Sequence, residues 1–381
     1  MYVLFAAALI LAIYFFQYKI YQRKWADNLK TEAYFKVNEV YAGDSAELTE
    51  TIENAKAIPL PMVKMKLQLS RKLLFSEKDN SSVSDFFNRT DIYNIGPGQR
   101  VKRTIHFTCP ERGYFDFNNV DVIGSDLFFT REFLKSVRTS SYLYVYPKPY
   151  DPKIMDPILN RISGEVLTKN NIIEDPFEYK GIREYQTYDS LKNVNWKAFA
   201  KSEELMVNMH DHTARRTVRV FINFENPAVL KHDDLMELCI SMGISTVTHF
   251  CKAGIPVSVY ANSSDILTKA PILIEEGSGD SHILAINRAF SRINLDEKAL
   301  DCRNGINMIL NDGEEDTYTI FISPFAKKSF CDLLLMVKNS GRDFCFICPS
   351  YEKPAEEDIK DIEDRFVFIE AKEALYEVSV S

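Results

Sequence analysis

Two short stretches carry side chains able to hold a metal or a reactive group. Met209-His210-Asp211-His212 sets two imidazoles two positions apart. On a strand, His210 and His212 share a face and can hold a metal together. No further Cys or His cluster lies nearby in sequence, so two surface histidines are the simpler reading. Cys345-Phe-Ile-Cys348 has C-x-x-C spacing, but it lies in DFCFIC, an apolar run that reads as a buried strand. Residues three apart on a strand point to opposite faces, so these thiols do not converge on one ion. Their expected role is that of small buried hydrophobes. Gly277-Ser278-Gly279-Asp280, ahead of a helical pattern, can accept an anion at a helix N-terminus or form a plain loop. The chain has no H-E-x-x-H, no G-x-S-x-G and no phosphate-loop lysine motif. Seven Cys and six His leave a Cys–His nucleophile formally open, with no local signature for one.

These residues need elements to position them. At roughly 100–200 residues per domain, 381 residues make two or three domains. A hydrophobic share of 46% beside a charged share of 26% suits a packed globular chain. The net charge of -8 argues against a general nucleic-acid binder, which carries a basic patch or an alkaline pI. The odd cysteine count, with no framework spacing, suits a reducing compartment.

The charge is unevenly placed. MYVLFAAALILAIYFF opens the chain as an unbroken apolar run, and Lys19, Arg23, Lys24 and Lys30 follow it while no basic residue precedes it. A secretory signal peptide has its positive charge in front and a small-residue cleavage site behind. Extended to Ile20, the run approaches the length that spans a hydrocarbon core of about 30 Å. Tyr14, Phe15, Phe16, Tyr18 and Tyr21 lie toward its basic end, as an interfacial belt would. We expect residues 1–20 to be a transmembrane anchor in lipid, with Lys19 onward in the cytoplasm by the positive-inside rule.

Residues 31–146 read as strands that alternate with period two, among them Ala33–Val40, Ala46–Glu53, Val63–Leu69, Arg100–Thr108, Tyr114–Ile123 and Ser141–Tyr146. Gly43-Asp44, Pro59-x-Pro61 and Gly96-Pro97-Gly98 punctuate them. An antiparallel sandwich is the natural packing. A proline-bearing connector, 147–216, follows. From Thr217, strands and helices alternate: VRVFINF, the helical Asp233–Cys251, Val257–Tyr260, the helical Ser281–Ile293 with Asp280 as N-cap, Tyr318–Ser323, the helical Ala326–Ser340, Phe344–Cys348 and Arg365–Glu370. That order implies a mostly parallel sheet covered on both faces, an α/β domain over 217–381.

The most distinctive segment runs from Gly181 to Lys201: Gly181, Arg183, Tyr185, Asp189, Asn195, Trp196, Ala198 and Ala200 fall at fixed offsets, with Lys192 and Lys201 at basic positions. It resembles the signature of domain-of-unknown-function family fifty-eight. Tyr188 stands where that family has Gly, and Lys192 and Lys201 where it has Arg. The resemblance extends upstream to Arg112-Gly113-Tyr114 and Ser125-Asp126-Leu127-Phe128. It implies a membrane-anchored protein with a von Willebrand factor A-like domain, associated with AAA+ ATPases of the MoxR type. Of the residues themselves, Arg183 and Asp189 can form a charge-assisted pair that fixes the loop. We expect the Trp196 ring to pack the segment onto the α/β domain. The alternative is a partner-binding surface built of Arg183, Lys192, Lys197 and Lys201.

The same resemblance implies a place for a divalent cation, at Asp-x-Ser-x-Ser after the first strand of the α/β domain. Asn223-Phe224-Glu225-Asn226-Pro227 stands there, and the later strand ends in Ser323-Pro324. Asn223 lacks the carboxylate charge, and only Glu225 and the amides of Asn223 and Asn226 offer oxygen to a hard cation. We therefore expect a degenerate cation site without metal or other cofactor. The resulting reading is a non-enzymatic membrane scaffold or adaptor serving a MoxR-type ATPase in protein assembly or maturation. A metal-dependent hydrolase using Glu225, His210 or His212, and an outward-facing cell-envelope binding module, are the alternatives.

Overall fold

The computed structural model of the protein describes residues 1–76, 81–83, 86–170, 179–187, 189–210, 217–226, 232–311 and 316–371. Two compact units divide the chain, Met1–Lys148 and Pro149–Ser381.

The first unit begins with helix α1, Tyr2–Lys24, which is long and apolar enough to cross a membrane. It runs past the expected anchor because its last turns pack on protein. Tyr21 and Trp25 are buried in the core of the β structure that follows. Ten strands come next: β1 Leu29–Phe35, β2 Glu39–Tyr41, β3 Ser45–Asn54, β4 Leu60–Ser70, β5 Leu74–Phe75, β6 Ser81–Val83, β7 Phe86–Ile95, β8 Arg100–Thr108, β9 Gly113–Ser125 and β10 Glu132–Tyr146. Among the described residues they form two sheets, ordered β1-β3-β8-β5 and β2-β10-β9-β4-β7-β6. Pairing is antiparallel except for β2 beside β10. Inward residues of both sheets, such as Leu48, Ile52 and Phe107 from one and Met65, Val122 and Leu143 from the other, share one core. This is a β-sandwich, as the alternation predicts.

Inside it lies a polar cluster that the alternation does not announce. Arg89 and Asp91 of β7 are both buried. Asp91 accepts from Arg89 Nε at 2.5 Å and from Arg103 at 2.7 Å. Beside them the Tyr93 hydroxyl donates to the buried carboxylate of Glu50, on the facing sheet. Burial pushes Glu50 up to about 7, against the pull of its bond to Tyr93.

The second unit opens with α2, Pro152–Asn170. The segment read as a connector is thus partly core, since Met155, Leu159, Ile162 and Val166 of α2 pack into the same cluster as the α/β sheet. A two-stranded ribbon follows, β11 Tyr179–Glu184 and β12 Met206–His210, with the short helix α3, Trp196–Ser202, between them. The main sheet is built from β13 Thr217–Ile222, β14 Val257–Asp265, β15 Pro271–Gly277, β17 Thr317–Ile322, β18 Phe344–Ser350 and β19 Phe366–Glu370, with the short β16, Ile293–Asn294, at one end of β14. Its order is β15-β14-β13-β17-β18-β19. All pairs along that path are parallel except β14 with β15.

Helices cover both faces. Alternate strand residues choose between them: Val220, Ile320 and Cys345 face α4, Asp233–Lys252, and α5, Asp280–Ser291, in one core. Phe221, Phe321, Phe346 and Cys348 face α6, Cys302–Asn311, and α7, Lys328–Asn339, in the other. Cys345 and Cys348 therefore lie on opposite faces, and burial pushes both thiols up to about 12. The N-cap of α5 is Gly279, at φ +83°, so Asp280 falls in the first turn rather than at the cap. Gly305 lets α6 approach the aromatic face. A Cβ there would lie 2.5 Å from the Tyr260 ring and 2.6 Å from that of Phe221.

Candidate functional site

The Gly181–Lys201 segment is braced as a unit. Gly181 to Glu184 pair with β12, and the Arg183 guanidinium meets both carboxylate oxygens of Asp189 at 2.6 Å. That bidentate contact is the stronger form of ion pair. Asp189 also accepts the Gln186 N–H at 2.9 Å. The Arg183 bond holds its carboxyl below the usual carboxylate range. Tyr185 N–H donates to the Leu205 carbonyl at 2.8 Å and closes the base of the loop. Tyr188 lies outside the described residues.

Asn195 starts α3. Its side-chain oxygen accepts the Ala198 N–H at 2.9 Å, an N-cap bond, while its amide donates to Asn208 of β12 at 2.7 Å. One residue thus caps the helix and ties it to the ribbon. The adjacent Trp196 does not pack on the α/β sheet, contrary to expectation. It is 61% exposed and meets only the edge of Phe199, with ring centroids 6.2 Å apart, among the described ring contacts. The physical reason is local. As the first residue of a helix whose cap faces β12, Trp196 projects from a turn that carries its own bracing and needs no aromatic anchor. Leu191, Lys192, Lys197 and Lys201 of the segment are exposed as well, as is Leu205 just beyond it. Arg183, by contrast, is half-buried in its pair with Asp189.

The degenerate cation position is at the switch point of the sheet, where the strand order reverses between β13 and β17. Ligand sites of open α/β sheets lie there, outside the carboxyl ends of the strands. Asn223 directly follows β13 and is buried. Its side-chain oxygen accepts from Asn262 at 2.8 Å and from the Glu225 N–H at 3.0 Å, and its amide donates to Ser323 at 3.3 Å. Asn262 in turn accepts the Phe224 N–H at 2.7 Å. An amide–amide–hydroxyl network thus joins the ends of β13 and β17 to β14, and the Asn223 side-chain oxygen accepts two hydrogen bonds within it. Asn226 is half-buried beside it.

Glu225 points elsewhere. It accepts the Cys302 N–H at 3.2 Å, at the first turn of α6. Glu225, Asp301 and Cys302 bring one ligand atom each within 4.8 Å of one another. Burial and then the bond to Glu225 push the Cys302 thiol up to about 12, so it is a weak ligand at neutral pH. Asp301 accepts the Arg303 N–H at 2.8 Å, a turn-forming bond. These groups border a cleft of about 150 Å³ that Arg303, Lys327 and Phe330 also line. Sequence reading found Glu225 but not Asp301 and Cys302. The signal was an Asp at the threshold of the apolar periodicity Cys302, Ile306, Ile309. His210 ends β12, while its side chain and the whole of His212 lie outside the described residues.

No family model matches the chain, and no curated protein matches it either. Solved structures similar to its β-rich part include a CARDB domain from Pyrococcus furiosus, at 16% identity over 31% of this chain and 91% of that one, TM-score 0.21. A non-cellulosomal cohesin from Archaeoglobus fulgidus matches at 15% identity over 30% and 91%, TM-score 0.21. A human PapD-like domain of CEP192 matches at 16% identity over 30% and 84%, TM-score 0.20.

Proposed function

We propose that the protein is a membrane-anchored, non-enzymatic scaffold that docks a protein partner through the Gly181–Lys201 segment. The resemblance names that partner as a MoxR-type AAA+ ATPase, on the cytoplasmic side. It also makes residues 217–381 a von Willebrand factor A-like domain, a reading supported by the mostly parallel sheet with helices on both faces. One observation carries the docking proposal: Trp196 is 61% exposed on a loop held rigid by the Arg183–Asp189 pair. An exposed Trp on a fixed frame, rimmed by lysines, has the composition of an interface anchor. The exposed apolar helix α1 supports the anchoring part.

The test is a photo-crosslinker in place of Trp196 in the full chain, activated in native membranes. An AAA+ ATPase in the crosslinked product supports the reading. Its absence, with the chain folded and abundant, removes it. Orientation is tested by a Ser190→Cys variant and a membrane-impermeant thiol reagent, since all seven natural cysteines are buried. Labelling in intact cells would favour the outward-facing binding module.

A second reading, a metal-dependent hydrolase, draws on Glu225, Asp301 and Cys302. Stoichiometric Zn²⁺ or Mn²⁺ retained by the purified chain would favour it, and a metal-free preparation would count against it.

A further inference from the structure

The turn between β9 and β10 carries Leu127, Phe128 and Phe129, which are 45%, 50% and 60% exposed. Exposed turns normally take Gly, Asn, Asp or Ser, and three large apolar side chains in a row make an apolar patch in water. Phe129 also adopts φ +57°, a conformation that a bulky residue enters only at a cost. Yet the turn is firmly built. The buried Asp126 carboxylate accepts the Thr130 N–H at 2.6 Å, the Thr130 hydroxyl at 2.5 Å, the Arg131 N–H at 3.3 Å and Gln17 Nε2 at 3.1 Å. The fold therefore holds these three side chains outward against both solvation and backbone preference.

Their position identifies what covers them. The Leu127 N–H donates to the Gln17 side chain at 3.4 Å, and the Tyr14 and Thr130 hydroxyls are 3.3 Å apart. The tip thus stands beside α1 at the level of residues 14–17. At about 1.5 Å per residue, a hydrocarbon core of about 30 Å takes about 20 residues of helix. Counted from Met1, the level of residues 14–17 falls in the last ~10 Å of that core. Phe15 and Phe16, on the other side of the helix at that level, are themselves exposed, so helix and tip both present apolar side chains at the same depth. Lys19, Arg23, Lys24 and Arg131, all exposed, follow where anionic headgroups would lie.

We propose that Leu127–Phe129 is a second membrane contact, a hairpin tip that enters the bilayer leaflet crossed by the end of α1. Its partner is the boundary between acyl chains and headgroups. Two contacts, helix and tip, stop the sandwich from turning about the helix axis. The proposal rests on the reading of α1 as a membrane span, and the test separates the two.

The full chain is reconstituted in phosphatidylcholine–phosphatidylglycerol vesicles, with one environment-sensitive fluorophore at Phe128→Cys, Leu9→Cys or Glu111→Cys. Lipids brominated near the top of the acyl chain serve as quenchers for 128 and 111, and lipids brominated near its methyl end for 9, which lies about midway through the core. The expected result is strong quenching and a blue shift at 128, strong quenching at 9, and neither at 111, at the other end of β9. Quenching at 9 with 128 behaving like 111 overturns the tip contact and leaves the span standing. No quenching at 9 overturns both. A blue shift at 128 that escapes lipid quenching and grows with protein-to-lipid ratio assigns the tip to a second copy of the chain and overturns the proposal.

Discussion

The Gln17 side chain, at the end of the apolar stretch of α1, donates to Asp126 at 3.1 Å in the turn that follows β9. Both groups are buried. The contact helps fix the rotation of α1, because Gln17 is the one amide side chain between Tyr2 and Tyr18. Replacing Gln17 with Leu removes one of the four donors around a buried carboxylate. We expect a loss of about 1–3 kcal/mol, the cost of a buried acceptor left short. Urea unfolding of the full chain in detergent measures it, and an unchanged midpoint would show the bond to be incidental.

Trp196→Ala should leave stability within about 0.5 kcal/mol of the parent, as for exposed positions that pack little. Had the ring been core, the loss would be about 3–5 kcal/mol. The two outcomes are well separated in a denaturant titration, and partner recovery should fall in the same variant.

Stability should fall as pH rises from about 4.5 toward 7 through Glu50. Its folded-state pKa is raised to about 7, mainly by burial, so the folded state keeps a proton that the unfolded state gives up above its ordinary value of 4.5. The contribution is whole below that value and is lost through the folded value, on the order of 3 kcal/mol in all. Glu50→Gln should flatten this slope. A parent and variant with identical pH profiles of unfolding would contradict the assignment.

Gly305→Ala places a methyl against two aromatic rings, those of Tyr260 and Phe221, packed 4.9 Å apart at their centroids. Helix α6 must move off the sheet, at about 1–3 kcal/mol for overpacking. Calorimetry of the variant should show a lowered Tm, and the shift of α6 would also disturb the Glu225–Cys302 bond.

The sandwich and the α/β sheet were legible because most of their strands carry an apolar side chain at each inward position. Strand β7 was not. Its inward positions read Phe87, Arg89, Asp91, Tyr93 and Ile95, and the two charges in the middle hide the period. Arg103, from the next strand and the facing sheet, joins their network, and the pattern within β7 does not carry that information. At the candidate site the Arg183–Asp189 bond follows from residue type and spacing, and the structure contains it. The place of Trp196 depends instead on which way the Asn195 cap turns α3, a choice made by Asn208 across the ribbon. Asp301 and Cys302 meet Glu225 only through the crossover from β14 to α6.

The join between α1 and the sandwich has a mechanical side. Gly124 leaves room for the Trp25 ring, whose atoms come within 2.4 Å of where a Cβ would stand, and Tyr21 donates to the Pro59 carbonyl at 2.7 Å. A 23-residue helix is about 35 Å long, so each degree of play at that joint would sweep its far end by about 0.6 Å. Fastening at Tyr14, Gln17, Tyr21 and Trp25 spreads the clamp over three turns instead of a single pivot. The helix then behaves as a mast stepped in its socket, and whatever holds the mast sets the heading of the sandwich.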